Sequence, residues 1–281
     1  MRVINEIKPL RDILLQNKID NKTIGLVPTM GALHAGHIKL IQESIEECDV
    51  TVCSIYVNPT QFNNQVDLDK YPNTFEEDIQ MLSDIGCDLA FNPSHNAMYP
   101  SGNQLNFDFG HLDKVMEGEF RKGHFSGVGI IISKFFNIVQ PDFAYFGQKD
   151  IQQFAVINKM VEELHMNTSL RCVPIVREEN GLAMSSRNMR LSEKGKNDAL
   201  VLYESLNLAK ELLIKGVSIS DVKNKIKHKF ASSIVELEYF EVVNSDTFIS
   251  MDKVTKNSPV AICIAGHIEN VRLIDNILLN E

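Results

Sequence analysis

The chain has 281 residues, of which 44% are hydrophobic and 23% are charged, as is typical of a globular protein with a sizeable core. Its net charge of −9 and the lack of a polybasic run argue against nucleic acid or a membrane surface as main partner. No apolar run reaches about 18 residues and the N-terminus is charged throughout, so we expect a cytoplasmic protein. The five cysteines form no CxxC pair, and we expect reduced thiols.

The first part of the chain alternates helical and extended stretches. We predict helices at residues 4–18, 37–48, 75–86, 127–139 and 151–165. We predict strands at residues 23–28, 50–57, 88–93, 142–147 and 169–175. These strands are apolar without alternation, which is typical of a parallel sheet that helices cover on both faces. Ligands of such sheets bind at the carboxyl ends of the strands.

The pattern changes after Asn180 and Gly181. We predict two charged amphipathic helices followed by strands, in the order 197–216, 219–230, 236–244, 260–266 and 271–279. Helices that precede strands in this way suggest a small α+β domain that begins near Val176. The fold class is therefore α/β, with a parallel-sheet domain followed by a smaller α+β domain.

The stretch PTMGALHAGH, residues 28–37, lies where a predicted strand gives way to a helix. Gly31 and Gly36 allow backbone amides to approach a ligand, and the helix that follows directs its positive end toward an anion. His34 and His37 can donate hydrogen bonds to phosphate oxygens. The Lys-Ser/Thr of a P-loop is missing, and the histidines lack the partners of a zinc site. A phosphate-binding turn and a capped turn with incidental histidines both fit these residues.

Polar side chains follow two further predicted strands. In VNPTQF the proline stops the strand, so Asn58 and Gln61 project from its carboxyl end, where amides can bind a hydroxyl or a carboxylate. In FGQKDIQQ, Asp150 can accept from ribose hydroxyls, Lys149 can pair with phosphate, and Gln153 lies one turn further on. An ordinary Asn-Pro turn and an ordinary charged helix start are the alternative explanations.

Two more stretches contain possible functional residues. REENGLAMSSRN is typical of a polar loop that closes over a site, and Ser185, Ser186 and Arg187 offer hydroxyls and a guanidinium that suit phosphate. A domain linker with a helix cap is the alternative. GHFSGVG does not form the G-x-S-x-G nucleophile elbow, and we predict that Ser126 is the N-cap of the helix that follows.

Together, PTMGALHAGH, VNPTQF, GHFSGV, FGQKDIQQ and VREENGLAMSSRN resemble the pantoate–β-alanine ligase family of the HxGH nucleotidyltransferase superfamily, in order and in spacing. The resemblance spans nearly the whole chain. It implies a Rossmann-like domain over residues 1–175 that binds ATP and pantoate, and a C-terminal α+β lid domain over residues 176–281. It also implies a homodimer and an active site in the cleft between the two domains.

The resemblance implies a reaction in two steps. ATP and (R)-pantoate form enzyme-bound pantoyl adenylate and pyrophosphate, and β-alanine then attacks the acyl carbon to give pantothenate and AMP. ATP is a substrate that brings Mg²⁺ on its phosphates, and no residue is assigned as a metal ligand. Such chemistry needs positioned reactants and stabilised phosphate charge rather than a protein nucleophile.

Residue roles follow by match to the family motifs. Catalytic roles are implied for four residues: His37 as proton donor, His34, Lys149 and Arg187. Gln61 and Gln153 are implied in binding pantoate, and Gln61 also in binding β-alanine. Asn58 is a further expected substrate-binding residue. The implied ATP site comprises Met30, Gly31, Ala32, Leu33, His34, Ala35, Gly36, His37, Gly147, Gln148, Lys149, Asp150, Val176, Met184, Ser185, Ser186 and Arg187. Within it, Gly147–Asp150 would hold the ribose and the backbones at Val176 and Met184 would recognise adenine.

Three residues depart from the commoner family pattern. Ala35 stands where Asp or Glu is frequent, Gln148 where Glu is frequent, and Asn73 where Arg is usual. None of these three departures removes a residue to which a role is assigned above. The competing hypotheses are a nucleotidyltransferase of the same superfamily that acts on another small acid, and a nucleotide-binding protein without catalytic activity.

Overall fold

The computed structural model describes residues 1–255 and 258–279. Contacts between Cα atoms divide the chain into two units, residues 1–148 with 153–174 and residues 149–152 with 175–281. The sequence-based division assigns residues 149–152 to the first domain, whereas their contacts group them with the second unit. The separation into two domains at residue 175 stays a prediction.

Six strands of the described chain form one sheet in the order β1-β4-β3-β2-β5-β6. They are β1 Arg2–Ile4, β2 Ile24–Thr29, β3 Val50–Ile55, β4 Leu89–Phe91, β5 Phe143–Gly147 and β6 Ser169–Val173. Each pair of neighbours is parallel. The predicted parallel sheet is confirmed, and the central strands β2 and β3 are buried, as apolar sequences without alternation require.

The helices before residue 170 are α1 Ile7–Ile19, α2 Ala35–Glu47, α3 Gln65–Asp69, α4 Phe75–Asp84, α5 His95–Met98, α6 Glu117–Phe120, α7 His124–Val139 and α8 Ile151–Glu163. Short 3-10 turns cover Pro59–Gln61, Gly110–Asp113 and Gln148–Asp150. The predicted longer helices are all present, while the sequence analysis missed α3, α5 and α6, which have only one turn or slightly more.

The N-terminal prediction was wrong for residues 4–6. The sequence suggested a helix from residue 4, but Arg2–Ile4 forms an edge strand that pairs with β4, and α1 begins at Ile7. Pro9 explains why α1 begins no earlier. It lies in the first turn of α1, where its missing N–H is not needed, whereas a helix from residue 4 would place Pro9 in the helix interior.

The predicted cap of α7 was also wrong. The helix begins at His124, and Gly123 is its N-cap with φ of +80°. Ser126 lies inside the first turn, and its hydroxyl accepts a hydrogen bond from the N–H of Phe107 at 3.0 Å. The N-cap is thus a glycine in a left-handed conformation, and the serine instead makes a hydrogen bond to a loop distant in the chain.

The second unit contains an antiparallel sheet and two long helices. The described strands β7 Glu236–Asn244, β8 Val260–Ile268 and β9 Val271–Leu278 pair in that order. The helices are α9 Glu193–Ile214 and α10 Ile219–Ala231, and a further 3-10 turn covers Ser186–Arg190. Leu206, Val222 and Ile262 are among the buried side chains that join helices and sheet in one core. The predicted α+β order is confirmed.

None of the helices in the described part of the chain is both long and apolar enough to cross a membrane.

Candidate active site

The chain leaves β2 through a tight turn that leads to α2. Gly31 and Ala32 in this turn both have positive φ, +76° and +50°. The Thr29 hydroxyl accepts from the N–H of Gly31 at 3.2 Å and donates to the carbonyl of Ser54 on β3 at 2.6 Å. An alanine in the left-handed region costs free energy, so neighbouring contacts have to hold this backbone in place.

Asp78 supplies such contacts. It lies in the first turn of α4, and the residue is 1% exposed. Its carboxylate accepts from the N–H groups of Ala32 at 2.9 Å and Leu33 at 2.8 Å, and from the Thr74 hydroxyl at 3.2 Å. Burial raises the pKa of Asp78 above its ordinary value of 3.8, and the hydrogen bonds from Leu33 and Ala32 oppose that rise. The sequence analysis did not identify this residue.

His34 and His37 cap the start of α2 together. His34 is the N-cap, and its Nδ1 accepts from the N–H of Gly36 at 3.1 Å. The N–H of His34 in turn donates to Nδ1 of His37 at 3.3 Å, and the ring centroids are 4.1 Å apart. A ring nitrogen that accepts a hydrogen bond carries no proton, so each neutral ring holds its proton on Nε2. The pair therefore has its Nε2–H groups as side-chain donors.

The segment after β3 holds Gln61 next to the turn. The Asn58 amide donates to Oε1 of Gln61 at 3.2 Å and to the carbonyl of Gly127 in α7 at 3.1 Å. His124 Nδ1 contacts the Gln61 carbonyl at 2.8 Å, and Nε2 of Gln61 donates to the sulfur of Met30 at 3.0 Å. Asn58 itself is 1% exposed. These contacts show that Asn58 orients Gln61. The assignment of Asn58 as a substrate ligand stays a prediction.

A cavity of about 450 Å³ opens beside the turn, and its lining includes Met30, Gly31, Ala32, Tyr71, Asn73 and Asp78. That volume suits a small-molecule ligand. Asn73, one of the departures from the family pattern, thus lies at the wall of a cavity that also borders the histidine-bearing turn.

The FGQKDIQQ stretch runs from the end of β5 into α8. Gly147 ends the strand, and Lys149 and Asp150 follow in the 3-10 turn with Nζ and Oδ2 3.7 Å apart. The Asn276 amide on β9 donates to the carbonyl of Lys149 at 3.0 Å. Gln153 lies half-buried in α8 and belongs to the first unit, as do the histidines and Gln61.

In the second unit, residues 176–184 form a small hairpin. The Met184 N–H donates to the Val176 carbonyl at 3.0 Å, and the Glu178 N–H donates to the Leu182 carbonyl at 2.8 Å. The two positions predicted to recognise adenine are therefore bonded to each other. That these two backbones recognise adenine stays a prediction.

Arg177 anchors this hairpin to β9. Its guanidinium donates to both carboxylate oxygens of Asp275, at 2.7 and 2.9 Å, and to the carbonyl of Gly181 at 3.1 Å. The same guanidinium lies over the Tyr203 ring, 4.0 Å from its centroid. The Asp275 side chain is nearly fully buried; burial raises its pKa, and Arg177 opposes that rise. The sequence analysis missed this pair, because no local pattern links residues so far apart in the chain.

The hairpin leads directly into the predicted lid residues. Ser185 is the N-cap of the 3-10 turn, and its hydroxyl accepts from the Arg187 N–H at 3.2 Å. Ser186 is buried, and Asn188 donates to Glu178 at 3.0 Å and to the Ala183 carbonyl at 3.1 Å. These contacts give the stretch a defined conformation within the second unit.

The structure thus brings the predicted residues together in two groups. One contains the turn, His34, His37, Asn58 and Gln61. The other contains Lys149, Val176 and the serine and arginine residues at 185–187. That the two groups act in one ATP site stays a prediction.

No group of three or more His, Cys, Asp or Glu side chains with the arrangement of a metal site occurs among residues 1–255 and 258–279.

Comparison with known proteins identifies the family. The sequence profile of the family described as Pantoate-beta-alanine ligase matches residues 2–278. The chain belongs to the pantoate–β-alanine ligase family. It is 46% identical to the pantothenate synthetase of Cytophaga hutchinsonii over 278 residues, 98% of each chain. It is 44% identical to that of Bacteroides thetaiotaomicron over 282 residues, covering both chains in full.

Solved structures of the same family have this fold. The pantothenate synthetase of Thermus thermophilus superimposes with a TM-score of 0.93 at 35% identity over all of both chains. The Francisella tularensis pantoate–β-alanine ligase, described as complexed with beta-gamma ATP and β-alanine, has a TM-score of 0.79 at 36% identity. That match covers the whole of this chain and 98% of the other. The resemblance stated from the motifs is confirmed.

Proposed function

We propose that the chain condenses (R)-pantoate with β-alanine in two steps, through pantoyl adenylate, with release of pyrophosphate and AMP. The observation that carries this proposal is the family match over residues 2–278, within which the histidine pair and the glutamine segment are both present. The pantoate carboxylate is the nucleophile in the first step, and the amine of β-alanine is the nucleophile in the second.

The histidine-bearing turn is the proposed phosphate site. His34 and His37 donate from Nε2 to phosphate oxygens, because their Nδ1 atoms are committed to backbone N–H groups. The start of α2 adds the positive end of a helix dipole. Lys149 and Arg187 add positive charge from the second unit. These groups stabilise the charge that develops on the phosphates as pyrophosphate leaves.

Gln61 and Gln153 are proposed to bind pantoate, and Gln61 also serves β-alanine. Gln61 is suited to this role because Asn58 and His124 restrain it from two sides. A restrained amide loses little conformational freedom when it binds a hydroxyl or a carboxylate. The backbones at Val176 and Met184 are proposed to contact adenine, and Gly147–Asp150 to contact the ribose.

Mg²⁺ is proposed to enter with ATP. Mg²⁺ commonly binds through substrate phosphates with few protein carboxylates. When bound, it neutralises phosphate charge. We also propose a homodimer, for which light scattering would give twice the chain mass of 31.7 kDa.

The test is an incubation with ATP, Mg²⁺ and pantoate, with and without β-alanine. We expect a stoichiometric burst of pyrophosphate without β-alanine, and continuous AMP and pantothenate formation once it is added. A nucleotide that remains attached to the final product would indicate a nucleotidyltransferase instead. ATP binding without any pyrophosphate would indicate a protein that only binds nucleotide.

A further inference from the structure

Asp78 is a buried carboxylate whose partners lie outside its own helix. Its oxygens accept from the N–H groups of Ala32 and Leu33, 46 and 45 residues earlier in the chain. Near its own helix, it also accepts from the hydroxyl of Thr74, the N-cap of α4. An acidic residue in the first turn of a helix commonly interacts with the positive end of that same helix. Here both oxygens are directed to the turn before His34.

The position is costly for a carboxylate. Burial raises the pKa of Asp78, and the charge of Glu77 raises it further. Among the described residues, the donors that offset this cost are backbone N–H groups and one hydroxyl rather than a cation. A buried charge without a cationic partner is unfavourable for folding, so its presence points to a requirement of the turn.

The turn needs such a restraint. Gly31 and Ala32 have consecutive left-handed conformations, which brings the N–H groups of Ala32 and Leu33 to one side. A carboxylate that accepts from both fixes the backbone directly before His34. The cap of α2 and the orientation of both histidine rings depend on that backbone.

We infer that Asp78 is a positioning residue for phosphoryl chemistry, which holds the Ala32-Leu33 backbone so that His34, His37 and the start of α2 face the ATP phosphates in the geometry required for adenylation. This inference rests on the proposed function. In this role, Asp78 acts through the turn to whose backbone it is bonded.

Asp78→Asn is the test variant. It keeps the shape of the side chain but replaces one oxygen with an NH₂ group, so one of the two backbone N–H groups loses its acceptor. We expect single-turnover formation of pantoyl adenylate to slow by about 10- to 100-fold, because small misplacements of positioning groups have effects of that size. We also expect the KM for ATP to rise.

The second half-reaction is the readout that separates positioning from general damage. Pantothenate formation from supplied pantoyl adenylate and β-alanine breaks no bond to pyrophosphate, so we expect it to stay within about two-fold of wild type. Equal slowing of both half-reactions, or an adenylation rate like that of wild type, would overturn the inference.

Asp142→Asn is the matched control. Asp142 accepts from the N–H of Ile24 at 2.8 Å, so it makes the same kind of bond at the other end of β2. We expect normal rates in both half-reactions. Wild-type protein that releases no pyrophosphate would refute the proposed function and the inference with it. Active wild type and control with an equally active Asp78→Asn would refute the inference alone.

A second variant lowers the conformational free-energy cost of the turn. Ala32→Gly in the Asp78→Asn background removes the cost of a left-handed alanine, so we expect at least about five-fold recovery of adenylation. No recovery would count against the positioning role. If Asp78→Asn does not fold, Thr74→Val removes one donor to the carboxylate instead. A loss of about three-fold, confined to adenylation, would then support the inference, and unchanged adenylation would contradict it.

Discussion

At the residue scale, His34 and His37 combine a structural task with a proposed chemical one. Each Nδ1 accepts a backbone N–H, which leaves Nε2 as the protonated nitrogen of the neutral ring. A serine or aspartate at residue 34 would cap the helix equally well but would present no N–H donor. The histidines therefore both cap the helix and offer an N–H donor, whereas a usual capping residue would only cap the helix.

His37→Ala should slow the first half-reaction selectively. Loss of one donor in a preorganised site reduces rates by about 10²–10³-fold, so we expect single-turnover pyrophosphate release to fall by that factor. Pantothenate formation from supplied pantoyl adenylate should remain near the wild-type rate. His228→Ala removes an exposed histidine from α10 and is the control. Equal loss in both half-reactions of His37→Ala would assign the residue a structural role only.

Sequence patterns located the histidines but not Asp78. Two histidines three residues apart at a strand-to-helix junction are unusual, and their chemistry suggests phosphate. Asp78 follows Glu76 and Glu77 in the first turn of α4, where acidic residues are common for reasons of the helix dipole. Only the third of these acids is buried, and only tertiary structure reveals its partners.

At the element scale, α7 supports the Gln61 segment through close backbone contact. A Cβ atom built on Gly127 would lie 2.3 Å from the carbonyl oxygen of Thr60. Asn58 also donates to the carbonyl of Gly127. The glycine therefore sets the distance between α7 and the segment that presents Gln61.

Gly127→Ala should impair pantoate binding. The methyl group would push the Gln61 segment away from α7, and we expect the KM for pantoate to rise about ten-fold while ATP affinity changes little. Gly129→Ala is a control in the same helix, because its Cβ would meet the buried ring of Phe109 at 2.8 Å rather than the backbone of the Gln61 segment. An unchanged pantoate KM in Gly127→Ala would show that the segment does not bind pantoate.

The Arg177–Asp275 pair should stabilise the second unit. Removal of Arg177 leaves a buried carboxylate without its cation, so we expect Arg177→Met to lower the free energy of unfolding by about 3–5 kcal/mol in urea titrations. Lys215→Ala, which breaks an exposed pair with Glu211, should cost less than about 1 kcal/mol. A similar small loss in Arg177→Met would mean that the hairpin is held by other contacts.

Elements were predicted well where their pattern was long. The strand at 236–244 coincides with β7, and the long helices differ only at their ends. The edge strand β1 was missed because three partly exposed residues show no alternation. The cap of α7 was missed because a serine near a helix start is the usual signal, and nothing local revealed that Gly123 takes a left-handed conformation instead.

At the scale of the whole molecule, the net charge of −9 makes a divalent cation on ATP important for binding a polyanion. Because Mg²⁺ is proposed to arrive with ATP, we expect it to be required for chemistry but not for the fold.

EDTA should separate these two properties. We expect an excess of EDTA to abolish pyrophosphate release, while the thermal unfolding temperature of the protein without ATP stays unchanged. Added Mg²⁺ should restore the activity in full. A fall in the unfolding temperature with EDTA would reveal a resident structural metal ion and would contradict the proposal that Mg²⁺ arrives with ATP.

The backbone hydrogen bonds that the rings of His34 and His37 accept also limit how this turn can evolve. A change at residue 37 removes the acceptor for the His34 N–H, and a change at residue 34 removes the acceptor for the Gly36 N–H. Single substitutions therefore carry a double penalty, and a variant with a new cap and a new donor requires coordinated changes. In a mutational library selected for stability alone, this pair would be a place where more stable sequences and active sequences diverge.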